Sequence, residues 1–177
     1  LLSEVLMLGI LVGLAGAAFA ADLKDISVRD FWMLRAPISL HLGWIICASA
    51  VNTNVLAIFY LATPGTMLSV AIASLAAVAS LASVYALAPK KADCFPGFVA
   101  AWALLAVYSE LQSATNLLDP SKFNPYSWDP VVIQGFGSAT VALSTACLAV
   151  AVVAVVRRLV SACRSPGSAE VKESSVP

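Results

Sequence analysis

Charge is what this sequence has least of. Only 11% of its 177 residues are Asp, Glu, Lys or Arg, while 60% are hydrophobic. Soluble domains carry about 25% charged residues, and a soluble fold of this length has too little interior for so much apolar surface. The ten acidic and ten basic residues cancel, which leaves no basic field for a nucleic-acid partner. Histidine occurs once, at His41, and no two of the four cysteines (Cys47, Cys94, Cys147, Cys163) stand at CxxC spacing. That argues against a Cys/His zinc site and leaves the thiols as small packing groups. No P-loop, GxGxxG or HExxH is present. The lone histidine has no serine–aspartate arrangement to serve. The apolar stretches hold too few ionisable groups for a proton relay or an ion pathway. The expectation is a protein without catalytic residues and without a metal site of its own.

What the sequence does have is apolar length. A membrane-crossing helix needs ~20 mostly apolar residues. Five stretches approach or reach that: Val5–Ala21, Ile38–Leu61, Met67–Ala88, Phe95–Leu111 and Val131–Val156. The fold class expected is all-α, a polytopic bundle of five transmembrane helices. The first stretch ends in Ala-Phe-Ala-Ala, as a cleavable signal would. Glu4 and the lack of a basic leader favour a retained span. Beginning at Leu1, the chain is read as having lost an N-terminal segment or as lacking its start. Pro64-Gly65 reads as a tight turn between spans two and three. Pro89-Lys90-Lys91 ends span three, Asp93 caps span four, and Pro96 fits a first helical turn. The link from Asp22 to Pro37 reads either as a short interfacial amphipathic helix or as a wet loop anchored by Phe31 and Trp32. Phe123, Tyr126 and Trp128 in the link from Ser113 to Pro130 look like interfacial anchors.

Five spans divide the basic residues unevenly. Lys24, Arg29, Arg35, Lys90, Lys91, Arg157, Arg158, Arg164 and Lys172 fall on one side, and only Lys122 on the other. This bias predicts the C-terminus on the cytoplasmic or equivalent side. Residues 1–160 read as one membrane domain and 161–177 as a polar tail rich in Ser, Pro and Gly. Such a tail is disordered on its own; if ordered, it is held by something else.

Small residues mark the helix surfaces expected to pack. Gly9 and Gly13 form a GxxxG continued by Gly16 and Ala17. Gly135, Ala139, Ala142 and Ala146 line one face of span five, with Gly137 and Cys147 beside it. Polar groups inside spans are the candidate ligand contacts. His41 and Asn52 are spaced to share a helix face, with Ala48 between them and Trp44 flanking, a stripe suited to a flat apolar ligand. Glu110 is the one acidic residue well inside spans two to five. With Gln134, Asn116 and Asn124 it would form a polar pocket mouth. The alternatives are plain interhelical hydrogen bonds for His41 and Asn52, and a hydrated helix end for Glu110.

The segment Arg35-Ala36-Pro37-Ile38-Ser39-Leu40-His41-Leu42-Gly43-Trp44-Ile45-Ile46-Cys47-Ala48-Ser49-Ala50-Val51-Asn52 resembles a signature of divergent TspO-like (tryptophan-rich sensory, translocator-protein-related) membrane proteins. Pro37, Ser39, Gly43, Trp44, Ile45, Ala48 and Asn52 carry the match, and Ala101-Trp102-Ala103-Leu104 adds to it. The resemblance implies a five-helix bundle that binds tetrapyrroles or sterols. Two functions are expected from these observations together. The first is a non-catalytic accessory subunit of a large organellar membrane complex. A photosynthetic supercomplex in a thylakoid stands ahead of a mitochondrial assembly, with membrane lipids and other membrane subunits as partners. There His41, Asn52, Glu110, Gln112 or Gln134 would ligate chlorophyll, and carotenoid or lipid would fill the bundle surface. The paired Glu…Asn/His…Arg motifs of common light-harvesting antennas are missing. The alternative is a free-standing TspO-type receptor or carrier for tetrapyrrole or sterol. The cofactor-binding residues nominated are His41, Trp44, Asn52, Trp102, Glu110 and Gln134.

Overall fold

A computed structural model describes residues 2–22, 28–89, 92–115 and 128–163. All the regular structure among them is helical. Five long helices account for most of it: α1 (Leu2–Asp22), α2 (Ala36–Phe59), α3 (Pro64–Leu87), α4 (Phe95–Thr115) and α5 (Pro130–Cys163). Helix is the form that satisfies every backbone donor within its own segment, as hydrocarbon surroundings demand. Four helical stretches are long and apolar enough to cross a membrane: Leu2–Ala21, Phe31–Phe59, Pro64–Leu87 and Pro130–Ser161. α4 is less apolar, because Tyr108, Glu110 and Gln112 interrupt its second half.

The helix ends follow from local chemistry. Thr63 caps α3 by accepting from the Thr66 amide at 3.3 Å, and Pro64 occupies the first helical turn, where its missing N–H costs nothing. The tight turn expected at Pro64-Gly65 therefore lies a step earlier, at Tyr60–Ala62. There the Ala62 amide reaches back to the Ala57 carbonyl at 3.1 Å, and Leu61 adopts φ 50°. This is the left-handed C-terminal cap that glycine usually occupies. Asp93 caps α4 through the Phe95 amide at 3.1 Å, as expected, and Asp129 caps α5 through the Val131 amide at 2.8 Å. The second half of the first link is neither a separate interfacial helix nor a loop. One helical turn, Val28–Asp30, and a π-helical turn, Phe31–Arg35, run directly into α2. Lys24, Asn116, Phe123, Asn124, Tyr126 and the tail from 164 lie outside the described residues.

Packing is uneven along the bundle. α4 packs on α2, α3 and α5, while α1 lies mainly against α2. The buried residues of α2 run only from Ala36 to Cys47, and those of α3 are Leu75, Val78, Ala82 and Ala86. Both sets lie toward the end that carries the arginines. Backbones meet closely there. A β-carbon on Gly43 would stand 3.0 Å from Val99 Cβ, and one on Gly97 would stand 3.0 Å from the Cys147 carbonyl. Ser144 Oγ on α5 donates to the Ala101 carbonyl on α4 at 2.8 Å. The buried face of α5 is Gly137, Thr140, Ser144, Cys147, Ala151 and Ala154. The Gly135–Ala146 stripe expected to pack is exposed instead. Gly9, Gly13 and Gly16 of α1 likewise have open space around them.

The basic end is fastened by polar contacts. Arg35 lies 3.6 Å from the Asp93 carboxylate, both side chains almost fully buried. Ser39 donates a hydrogen bond to the same carboxylate. The Arg157 guanidinium donates to the Leu87 carbonyl at 2.9 Å. Arg158 sits over the Phe31 ring, 3.6 Å from its centroid, and Phe31 and Trp32 both pack on Phe95. Together these join the start of α2, the end of α3, the start of α4 and the end of α5.

Candidate functional site

Away from the arginines the helices separate, and cavities open between them. The largest among the described residues, about 700 Å³, lies between α1, α2 and α4. Two smaller ones, about 210 and 300 Å³, are lined by residues of α2 to α5 and meet at Asn54, Ile58, Ala71 and Phe136. The largest falls in the ~300–1,000 Å³ range of small-molecule sites.

Its walls come from matching helix faces. α2 contributes Trp44, Ala48 and Asn52; α4 contributes Trp102, Ala106 and Glu110; Met7 closes the α1 side. The steps of four and eight residues keep each set on one helix face. The two helices run parallel, so Trp44 and Trp102 share the end nearer the arginines, and Asn52 and Glu110 lie toward the far end. The two indole rings are 5.7 Å apart, centroid to centroid, with planes inclined by 30°. Each is about half exposed, 49% for Trp44 and 59% for Trp102, so the cavity opens sideways between α2 and α4.

Asn52 joins α1 to this wall. Its side-chain oxygen accepts from Ser3 Oγ at 2.9 Å, and its amide nitrogen donates to Glu4. Thr53 donates to the other Glu4 oxygen. Asn54, on the neighbouring face, donates to Ser74 Oγ at 2.9 Å and holds α2 to α3. Both Glu4 oxygens thus accept hydrogen bonds from α2, as a polar group in apolar surroundings needs to. Glu110 has no hydrogen-bond or ion-pair partner among the described residues.

Of the six nominated residues, Trp44, Asn52, Trp102 and Glu110 come together on this cavity. His41 is exposed on the basic half of α2, and Gln134 is exposed near the start of α5. Neither lines a cavity described here. His41 and Asn52 do not line this cavity together: Ile45 between them is buried, and the α2 part of the lining begins at Trp44. Sequence reasoning missed Ser3, Glu4 and Met7, which depend on how α1 lies against α2. It also missed Arg35 as Asp93's partner. The detectable signal was a buried-side arginine directly before Ala36-Pro37, at the mouth of a span.

The described residues include no group of three or more His, Cys, Asp or Glu placed to hold a metal ion.

No curated protein and no solved structure matches the chain. The model of one family, described as TSPO-like protein, matches residues 1–160. With that match spanning all five helices and the resembling segment in α2, the chain belongs to the TSPO-like protein family.

Proposed function

We propose that this integral membrane protein is a non-catalytic binding protein for a flat, largely apolar ligand of the tetrapyrrole or sterol class, taken from the bilayer into the cavity between α1, α2 and α4. One observation carries the reading: a cavity of about 700 Å³ with a half-exposed tryptophan pair at its end nearer the arginines and a side opening between α2 and α4. Aromatic faces are the surfaces against which flat rings pack best. Membership of the TSPO-like family supports the same ligand class. Residues 1–160 act as the binding domain, and 161–177 as an appendage to it. The nine-to-one distribution of basic residues supports an orientation with the arginine end toward the cytoplasm or its equivalent.

The alternative of a photosynthetic accessory subunit draws less support. Its argument rests on helices rich in small residues and on order in the tail, and residues 164–177 lie outside the described ones. Of its candidate pigment ligands, Asn52 and Glu110 line the cavity, and His41 and Gln134 do not.

The test is a titration of the purified chain, in zwitterionic nanodiscs, with a neutral octaalkylporphyrin and with cholesterol. Saturable binding of one ligand per chain, with tryptophan quenching by the porphyrin that weakens in Trp44→Ala and Trp102→Ala, is the expected result. Absence of saturation with both ligands, or affinity indifferent to both substitutions, would overturn the reading.

A further inference from the structure

Among the described residues, the cavity wall carries one charged side chain. Glu110 lines it, and it is an acid. No lysine, arginine or histidine is among the described lining residues. The nearby carboxylate of Glu4 is already occupied by Asn52 and Thr53. Glu110 is not: among the described residues nothing donates to it. It sits five residues before the last residue of α4, so it stands ~7.5 Å from the helix end, at the border between cavity and interface. From Trp102 to Glu110 is eight residues, or ~12 Å along the axis. The site therefore has an aromatic end and an acidic end, about one ring system apart, in surroundings that strengthen charge–charge interactions relative to water.

We propose that Glu110 is a specificity-determining residue of this site, and that the ligand it selects ends in a cationic or hydrogen-bond-donating group, not in a carboxylate. This rests on the reading of the cavity as the binding site. An anionic ring seated against Trp44 and Trp102 would bring its carboxylate toward Glu110, where like charges repel and no cation of the lining offsets them. An amine, or a hydroxyl that donates, would give the carboxylate's lone pairs a hydrogen-bond donor.

Three probes built on one octaalkylporphyrin ring, ending in an alcohol, a primary amine and a carboxylate on the same short arm, separate the possibilities. All are titrated into the full chain in zwitterionic nanodiscs at low salt. The amine probe binds about five- to tenfold tighter than the carboxylate probe, a modest factor because Glu110 is solvent-accessible. The difference narrows in high salt. Glu110→Gln brings amine and carboxylate probes within about twofold of each other and leaves the alcohol probe nearly unchanged. Glu110→Asp keeps the order of preference. Equal affinities in the unmodified chain, or a preference that persists in Glu110→Gln, overturn the proposal. Failure of the alcohol probe to bind at all overturns the reading of the cavity instead.

Discussion

Trp44 of α2 and Trp102 of α4 stand 5.7 Å apart at the end of the largest described cavity nearer the arginines, held there by parallel helices whose cavity faces begin at these two residues. Neither ring is buried, so neither contributes much to the core. Trp44→Ala and Trp102→Ala should each weaken ring binding by about 1 kcal/mol, roughly fivefold, while changing thermal unfolding little. Porphyrin titration and a detergent melt on the same samples check both halves.

Close approach at two glycines should dominate stability. Gly97→Ala places a methyl 3.0 Å from the Ala151 side chain and 3.0 Å from the Cys147 carbonyl, and backbone cannot step aside cheaply. A loss of about 1–3 kcal/mol is expected, as for other overpacked cores. Gly13→Ala meets nothing within 4 Å and should be neutral or slightly stabilising through helix propensity. Comparative melting temperatures decide it.

The Arg35–Asp93 pair should be costly to break and cheaper to replace. Asp93→Ala leaves a buried guanidinium without its carboxylate and removes the α4 cap, for a loss of about 3–5 kcal/mol. Adding Arg35→Met removes the buried charge and should recover part of that loss. Denaturant unfolding of the single and double variants gives the coupling.

Leu61 holds a left-handed backbone conformation, φ 50°, with 88% of its surface exposed. Leu61→Gly should raise stability by about 1 kcal/mol, because glycine meets no Cβ penalty in this cap and little packing is lost. A lower melting temperature in the variant would show that the leucine's contact with lipid outweighs the strain.

The cysteines should label in a set order. Cys163 is exposed and reacts first. Cys94 is half-buried, and its thiol is pushed up from its ordinary value, by burial first and then by the Asp93 carboxylate. At a given pH it holds less thiolate, so its alkylation lags and gains on Cys163 only as the solution becomes strongly alkaline. Cys147 is buried and should label only on unfolding, whereas Cys47, buried but on the wall of the large cavity, should label slowly in the folded chain. Mass spectrometry of time-resolved alkylation reads the order directly.

The helices were legible in the sequence because apolar length and capping chemistry are local properties. Asp93 before Phe95-Pro96 announces the start of α4 without reference to any other helix. The boundary near Pro64 was misplaced because a leucine took the left-handed position that glycine would have marked. Facing surfaces were harder to read. On α5, Ala139 and Ala142 are as small as Ala151 and Ala154, yet only the latter pair is buried. Size permits a close approach but does not select which face makes it. The polar fastening does, and Ser144 meeting Ala101 is a relation between two distant segments. Likewise Trp44, Trp102 and Glu110 were recognisable one by one as unusual residues in a span. That they share a cavity follows from α2 and α4 running side by side in register, and that Asn52 turns to α1 follows from Glu4.

On the proposed reading of the cavity, the close-packed arginine end and the hollow opposite end place fold and selectivity on different residues of one small chain. Substitutions at Ala48, Ala106 or Glu110 leave untouched the contacts of Gly97, Ser144 and Asp93 that keep the helices together. Such a chain can exchange one hydrophobic ligand for another over evolutionary time without passing through an unfolded ancestor.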